Sequence, residues 1–345
     1  MPAALRIEDL RRYAVARSLF VVTTPARAIE RLGFLQADPI RAPARAQDLT
    51  LRHRVRHYRA GQLEASYPRL AIEEDFFVNY GFMPRALHAL MHPRVPAHVW
   101  DATTTRRAAD VLAFIRERGA AHPREIVEHF AHGKVRNYWG GSSNASTHLL
   151  EGMHYRGLLR VVRRDRGVRV YAPRQTQDDS DSMTSRERLD ALIDIAVAKY
   201  APLPLRSLTT LLRRLRHGVP QWRGDLDDAI ARARARLAHE RVEGQDWFWP
   251  GHETPQSKAH VLKDRVYLLA PFDPVVWDRM RFELFWRWPY RFEAYTPVHK
   301  RKLGYYALPL LWRDEVIGWA NAVLEGHDLI IDARYVAGRA PRDPQ

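Results

Sequence analysis

The stretch that decides the fold is LLRVVRRDRGVRVYAP, Leu158 to Pro173. Its two β-rich arms, Leu159–Arg163 and Val168–Tyr171, flank the turn residues Asp165 and Gly167, a pattern typical of a β-hairpin. Three segments with helical periodicity precede this hairpin: TTRRAADVLAFIRERG, HPREIVEHF and SSNASTHLLEGMHYRG, which begin at Thr104, His122 and Ser142. Three helices followed by a hairpin is the order of a winged helix-turn-helix, which the sequence therefore predicts over residues 101–173.

A second segment repeats this layout further along the chain. Residues 174–186 are polar and acidic without periodicity, so we predict a linker there. Three helical segments and the short hairpin RVEGQDWFWP then follow, and the repeat is one of layout, with a period of about 80 residues. The sequence therefore predicts a second winged helix over residues 187–255.

The two ends of the chain complete the predicted architecture. Residues 1–100 are predicted to form an N-terminal helical or winged-helix domain. One helix is expected over Ile7–Leu19, and another with Thr24 as N-cap, Pro25 as first residue and Gly33 as C-terminal stop. Residues 256–345 are β-rich and indicate a small antiparallel sheet or barrel. The expected fold class is α+β.

The charge balance points to a polyanionic partner. The 55 Lys and Arg against 40 Asp and Glu give a net charge of +15, and nucleic acid is the first candidate. The chain has no cysteine, which excludes disulfides, thiolate metal sites, iron–sulfur clusters and a cysteine nucleophile. It also has no apolar run long enough to span a membrane. These features predict a cytoplasmic, nucleoid-associated protein that does not bind membranes.

The first predicted winged helix supplies candidate DNA contacts. Its third helix presents polar side chains opposite its apolar stripe, and its hairpin is rich in arginine, which suits contacts with phosphates. The candidates are Asn144, Thr147, His148 and Glu151 on the helix, and Arg163, Arg164, Arg166 and Arg169 on the hairpin. The alternative for these residues is an ordinary solvated helix and hairpin.

The sequence argues against metal chemistry. His53 and His57 are spaced to share a helix face, but HExxH is absent and the intervening arginines repel a dication. The acidic run IEED, residues 72–75, has no matching second motif and is interpreted as a solvated turn. We therefore predict that the protein uses no metal and no cofactor.

A second constellation is the Gln36-Ala37-Asp38 segment, which follows the predicted helix stop. Pro39 disfavours a helical Asp38, so the segment should be extended, with Gln36 and Asp38 on one face. An amide and a carboxylate side by side suit the activation of water. Three arginines follow closely and are candidate DNA contacts: Arg41, Arg45 and Arg52. The alternative is an Asp that caps the next helix beside a surface Gln.

Three blocks of this sequence resemble the winged-helix DNA glycosylases of the YcaQ type, which act in bacterial repair of alkylated and interstrand-crosslinked DNA. The blocks are LGFLQADPIRAPARAQDLTLRHRV, WGGSSNASTHLLEGMHYRGLLRV and LLAPFDPVVWDRMR with YRFEAYTPVHKRKLGYYALPLL. The resemblance spans nearly the whole chain. It implies tandem winged helices with a small C-terminal antiparallel β-barrel. The third block adds Lys300, Arg301 and Lys302 to the predicted DNA contacts.

The resemblance also implies catalysis by a Gln-hydrophobic-Gln or Gln-hydrophobic-Asp motif, here Gln36-Ala37-Asp38. The middle residue is a small Ala rather than a large aliphatic. The third residue, Asp, fits the branch of the family with broader substrates.

This assignment predicts a monofunctional glycosylase for cationic N7-alkylated purines in duplex DNA, including bulky adducts and interstrand crosslinks. Asp38 would accept a proton from water and stabilise the cationic sugar, while Gln36 orients that water. Nearby arginines should lower the pKa of Asp38 and keep it ionised. An open concave site between winged helices is expected, because a crosslinked base cannot swing into a closed pocket.

Two other classes compete with the glycosylase. A non-enzymatic regulator or nucleoid-associated protein with winged helices would bind DNA without releasing a base. A metal-dependent nuclease would break strands and be inhibited by chelators. In each case the partner is double-stranded DNA, damaged in the glycosylase reading, and a monomer is expected.

Overall fold

The computed structural model of the chain describes residues 4–96, 98–136, 142–175 and 183–340. The helices are α1 (Ile7–Ser18), α2 (Pro25–Leu32), α3 (Ala46–Leu51), α4 (Gln62–Ser66), α5 (Arg85–Met91), α6 (Ala102–Arg118), α7 (Pro123–Phe130), α8 (Ala145–Tyr155), α9 (Ser185–Tyr200), α10 (Leu205–Arg213), α11 (Leu226–Arg236) and α12 (Arg279–Trp286). The strands are β1 (Leu35–Gln36), β2 (Ile72–Phe76), β3 (Tyr80–Pro84), β4 (Lys134–Arg136), β5 (Ser142–Asn144), β6 (Leu159–Asp165), β7 (Val168–Pro173), β8 (Leu203–Pro204), β9 (Ala238–Val242), β10 (Gln245–Trp249), β11 (Val266–Leu268), β12 (Leu308–Trp312), β13 (Glu315–Glu325) and β14 (Asp328–Tyr335). Short 3-10 turns occur at Tyr67–Arg69, Arg214–His217, Pro220–Asp225 and Val298–Lys300.

The described chain divides into two compact units. Unit 1 comprises the described residues of 1–60, 193–213 and 230–345, and unit 2 those of 61–192 and 214–229. The divisions at residues 192/193 and 229/230 fall inside α9 and α11. The five-part domain division and the two winged helices stay predictions. Of the predicted linker, residues 176–182 lie outside the described residues.

The expected helix signals at the N-terminus are confirmed. Helix α2 begins at Pro25, and the hydroxyl of Thr24 accepts a hydrogen bond from the Arg27 amide at 3.4 Å. It ends before Gly33, which has φ +67°. A Cβ at Gly33 would also lie 2.9 Å from Cγ2 of Ile195, so both backbone and packing favour glycine there.

The C-terminal part of unit 1 contains an open antiparallel sheet. Its order is β11-β12-β13-β14, so β11 and β14 are its two edges. The expected closed barrel is therefore wrong for the described residues, because closure requires the edge strands to pair with one another. Among the described strands, β14 pairs with β13 only, and it is exposed from Asp328 to Arg334. Strands β8, β10 and β9 form a second antiparallel sheet in this unit.

The core of unit 1 lies between the four-stranded sheet and its helices. Val15 and Leu19, from α1 and its end, pack with Phe282 of α12 and with Tyr267 and Leu311 of the sheet. A second apolar cluster lies beside it and contains Ala42, Leu49, Ala270, Tyr306 and Leu308. Burial of these apolar side chains joins the N-terminal helices to segments more than 200 residues away.

In unit 2, α6, α7 and α8 are followed by the antiparallel hairpin β6–β7. The short ladder β4–β5 lies between α7 and α8 in the sequence, which the periodicity did not predict. Helix α6 is capped by the Asp101 carboxylate, which accepts a hydrogen bond from the Thr104 amide. A second hairpin, β2–β3, precedes these elements.

The interpretation of residues 72–75 as a solvated turn is wrong. They belong to β2, and Glu73, Glu74 and Asp75 are all buried. Each carboxylate is matched to guanidinium groups: Glu73 to Arg85 and Arg160, Glu74 to Arg164 and Arg169, and Asp75 to Arg94. Buried charges persist only when they are paired and hydrogen-bonded, and arginines from other elements provide these pairs here.

The chain as a whole combines helices with antiparallel sheets, as the α+β class requires. None of the helices in the described part of the chain is both long and apolar enough to span a bilayer.

Candidate active site

Gln36 and Asp38 lie at the end of the short strand β1 in unit 1. The strand ends at Gln36, after which Pro39 precludes a helix. Gln36 is 5% exposed and Asp38 9% exposed, so neither side chain lies on the open surface. The alternative of a surface Gln is therefore wrong. That the two side chains share one face of the backbone stays a prediction.

The Gln36 amide is held by an indole. The Nε1–H of Trp277 donates a hydrogen bond to Oε1 of Gln36 at 3.0 Å. An indole N–H can only donate, so it fixes the orientation of the amide and leaves the NH₂ group directed elsewhere. Trp277 in turn packs against Tyr200, with ring centroids 4.5 Å apart. The amide is thus oriented before any substrate binds.

Asp38 is fixed by two hydrogen bonds, one to its carboxylate and one from its backbone amide. Its Oδ1 accepts from the Ile40 amide at 2.9 Å, which closes a turn through Pro39. Its own amide donates to Oε1 of Gln47 on α3 at 3.2 Å. Because α3 begins at Ala46, Asp38 caps a turn and not the next helix.

The expectation that arginines lower the pKa of Asp38 is wrong. Burial raises the pKa of this carboxyl, and the hydrogen bond from the Ile40 amide opposes burial only in part. Arg41 and Arg52 have exposed side chains. Desolvation disfavours the charged form of a carboxyl and makes it a better base at neutral pH.

Two tyrosines lie within electrostatic reach of Asp38. Burial and then the Asp38 charge raise the pKa of Tyr306 and of Tyr295. Tyr295 is 78% exposed, whereas Tyr306 is 1% exposed and its hydroxyl has no hydrogen-bond partner among the described residues. The Phe292 ring packs against both tyrosine rings, with its centroid 6.0 Å from that of Tyr295 and 5.4 Å from that of Tyr306. The two tyrosines on which the Asp38 charge acts therefore both pack against Phe292.

A buried ion pair supports the loop that carries Trp277. Arg54 donates two hydrogen bonds to the Asp273 carboxylate, at 2.7 and 3.0 Å, and both side chains are fully buried. Arg54 also donates to the Ser18 and Thr50 carbonyls. The Asp273 carbonyl accepts from the Trp277 amide at 2.8 Å. The indole is thereby tied to the end of α3.

The predicted DNA contacts in unit 1 differ in their surroundings. Arg41, Arg52, Lys300 and Lys302 are exposed, and Arg45 is half-buried. Arg301 is half-buried, donates to the Thr296 carbonyl at 2.8 Å and lies 5.1 Å from the Tyr305 ring. The exposed members remain available to a polyanion.

Four predicted DNA contacts in unit 2 have structural partners instead: Asn144, Glu151, Arg164 and Arg169. Arg169 forms ion pairs with Glu74 at 3.3 Å and with Glu151 at 3.6 Å. The Asn144 Oδ1 accepts from the Ser146 and Thr147 amides, so Asn144 is the N-cap of α8. Arg164 forms an ion pair with the buried Glu74, because two residues of β2 require cations from the neighbouring hairpin. His148, Arg163 and Arg166 are exposed, and Thr147 is half-buried.

The histidines expected to share a helix face do not. Helix α3 ends at Leu51, His53 bonds the Leu268 carbonyl at 2.7 Å, and His57 is exposed with φ +50°. Three other side chains of the described residues could hold a metal ion by geometry: Asp75, His88 and His92. Their Asp75 carboxylate is already bound by Arg94 at 3.1 Å, which disfavours a cation there.

Several residues that organise the site escaped the sequence analysis. Trp277 and Gln47 form hydrogen bonds with the motif, and Tyr306 lies within electrostatic reach of Asp38, yet no local pattern marks these three residues. Trp277 and Tyr306 fall in the third block used for the resemblance, which is the signal that could have indicated them. Trp277 and Tyr306 lie more than 200 residues from Gln36 and Asp38 in the sequence, so no periodicity could indicate that they are close in space.

A family model described as DNA glycosylase AlkZ-like matches residues 29–340. Among solved structures, the DNA glycosylase AlkZ of Streptomyces sahachiroi is similar, with a TM-score of 0.55 and 15% identity over 98% of this chain and 93% of that one. At this identity the structural likeness extends to the fold. The resemblance inferred from the sequence is thereby confirmed.

Proposed function

Since the chain belongs to the AlkZ-like DNA glycosylase family, we propose that Gln36 and Asp38 catalyse hydrolysis of the N-glycosidic bond of a damaged nucleotide. The observation that supports this most is that two buried polar side chains lie two residues apart where one strand ends. The amide is oriented by Trp277, and the carboxylate is made more basic by burial.

The mechanism divides the work between the two side chains. Cleavage passes through a cationic sugar, so an ionised Asp38 stabilises that charge and accepts a proton from the attacking water. The Gln36 NH₂ group, left unused by Trp277, positions the water without adding a competing charge. The water attacks C1′, its proton goes to Asp38, and the base departs with the electrons of the glycosidic bond.

The substrates proposed are N7-alkylated purines, including bulky adducts and interstrand crosslinks in duplex DNA. Such a base already carries a positive charge and leaves as a neutral molecule, so no second acid is needed. A site with one carboxylate and one amide therefore suffices. The reaction requires no metal ion, and DNA contacts from the predicted winged helices and the exposed cations would position the duplex around a monomeric enzyme.

The enzyme is proposed to be monofunctional. A lyase step requires an accessible amine, and Lys199 lies close behind β1. Its ammonium donates to the Phe34 carbonyl, and the residue is 5% exposed. Burial lowers the pKa of Lys199 to about 7, but the amine is directed into the protein. It therefore supports the strand and does not act as a nucleophile.

Base release tests this function. Duplexes containing 7-methylguanine or a nitrogen-mustard crosslink are incubated with the protein, and abasic sites are detected by alkaline cleavage. We expect Asp38→Asn and Gln36→Ala to lose about 100-fold or more in rate while retaining affinity for the duplex. Asp48→Asn is the matched control, since Asp48 is also a buried carboxylate, lies on the neighbouring helix α3 and accepts a hydrogen bond from the Tyr58 hydroxyl at 2.7 Å.

The competing classes give different results. A wild-type protein that binds the duplex and never releases a base would be a non-enzymatic regulator. Strand breaks before alkali treatment would indicate a lyase, and breaks abolished by chelator a nuclease.

A further inference from the structure

Unit 2 contains a cavity of about 440 Å³ with a cationic lining. It lies beside β2, α5 and the hairpin β6–β7, in a unit that does not contain Gln36 or Asp38. Its polar lining consists of Glu73, Arg85, His88, Arg160, Arg174 and Gln175. Among the lining residues that the structure describes, three guanidinium groups therefore face one carboxylate, an excess of two positive charges.

The carboxylate is shared by two of the three arginines. Glu73 accepts from Nε of Arg85 at 3.1 Å and from Nη2 of Arg160 at 2.6 Å. Glu73 is 6% exposed, and its carboxylate holds these two arginine side chains in place. The guanidinium groups keep further N–H donors that a single carboxylate does not satisfy.

The third arginine has no such partner. The Arg174 side chain makes no hydrogen bond or ion pair with any described residue, although its backbone amide is fixed by the Leu158 carbonyl at 3.1 Å. Burial lowers the pKa of Arg174, and Glu73 and Asp75 act on it only at a distance. Asp75 is occupied by Arg94, His88 and His92. Among the described residues this half-buried cation has no direct counter-ion, and an anion bound beside it would compensate for its burial.

We propose that this cavity is a binding site for a phosphate group. A guanidinium fork matches the oxygen geometry of phosphate, and an excess of two positive charges matches a mono- or dianion. The cavity is larger than one phosphate ion, so it also admits the sugar or other group attached to it. The phosphate comes either from a DNA backbone or from a free phosphorylated compound.

The test uses the full chain, inorganic phosphate and undamaged duplex. Phosphate binding is measured by calorimetric titration at constant ionic strength, with acetate as a charge control. Arg174→Gln removes the unpartnered guanidinium, and Arg106→Gln makes the same charge change at an exposed position on α6. We expect the first variant to lose phosphate affinity at least tenfold and the second to retain it. If Arg174→Gln unfolds at a lower temperature than wild type, Arg85→Gln replaces it, since the Arg85 side chain is 52% exposed.

The duplex identifies the source of the phosphate. If the site takes backbone phosphate, inorganic phosphate will weaken duplex binding by the wild type, and Arg174→Gln will reduce the salt-dependence slope by about 0.9. If phosphate binds without affecting the duplex, the ligand is a free phosphorylated compound. The proposal is overturned if wild type and Arg174→Gln have equal phosphate affinity and equal salt slopes. Neither measurement involves base release, so this result is independent of the function proposed for Gln36 and Asp38.

Discussion

Asp38 is a carboxyl group held away from water, and its protonation should control the reaction. Burial raises its pKa above the ordinary 3.8, and only the ionised form can accept a proton from water. Base release should therefore fall tenfold per pH unit as the pH drops below this raised pKa, and level off above it. Single-turnover rates of base release from a 7-methylguanine duplex, measured between pH 4 and 9, test this acidic part of the pH–rate profile.

A rate that stays constant down to pH 4 would show that Asp38 does not act as the base. Acid depurination of the duplex alone is subtracted at each pH.

The Tyr306 hydroxyl offers a second prediction at the level of one residue. It is buried, lies within electrostatic reach of Asp38 and has no hydrogen-bond partner among the described residues. Removing it should therefore leave the melting temperature unchanged or raise it slightly. If the hydroxyl holds the attacking water, Tyr306→Phe should slow base release about tenfold, the worth of one hydrogen bond. Melting temperature and single-turnover rate are measured on the same preparation. An unchanged rate would assign the hydroxyl no part in the reaction.

Among elements, the loop carrying Trp277 depends on the Arg54–Asp273 pair. Removing one partner leaves a fully buried charge, so Arg54→Met should lower the free energy of unfolding by about 3 kcal/mol or more. The control is Arg313→Met, whose partner Asp264 is 65% exposed, and its cost should stay below about 1 kcal/mol. Urea denaturation measures both. Equal costs would mean that the buried pair does not stabilise the fold.

The hairpin β6–β7 places two neighbouring arginines in opposite roles. Arg163 is exposed, so Arg163→Gln should reduce the salt slope of duplex binding by about 0.9 if it contacts a phosphate. Arg164 is one of two arginines paired with the buried Glu74. Arg164→Gln should therefore destabilise the protein, but by less than the about 3 kcal/mol of a buried charge left unpaired, because Arg169 remains. Urea denaturation and salt-dependent binding separate the two effects, and the reverse pattern would contradict this assignment.

These elements show how far the sequence could lead. Local signals were sufficient for the start and end of α2, for the helices and hairpin of residues 104–173, and for the Gln36-Ala37-Asp38 segment as a candidate. They failed at residues 72–75, because the arginines that neutralise Glu74 lie about 90 residues away. Trp277 was missed for the same reason. The open edge of the C-terminal sheet depends on strand pairing, which alternation alone does not specify.

At the scale of the whole molecule, the exposed edge strand β14 sets the protein's behaviour toward its own copies. Leu329, Ile330 and Ile331 are each about half exposed on a strand whose outer edge has no partner among the described residues. Such an edge is a template for pairing with another chain. A net charge of +15 keeps copies apart at low ionic strength.

Added salt should thus lower the solubility of this protein, whereas moderate salt is commonly added to keep stored proteins in solution. Screening shortens the range of this repulsion from about 10 Å at 0.1 M to about 3 Å at 1 M, so light scattering should report growing self-association as sodium chloride rises. Ile330→Lys should abolish that growth, and a scattering signal equal in both proteins would contradict it. Purified protein is then best kept dilute at low ionic strength, where the repulsion between its positively charged copies prevents association.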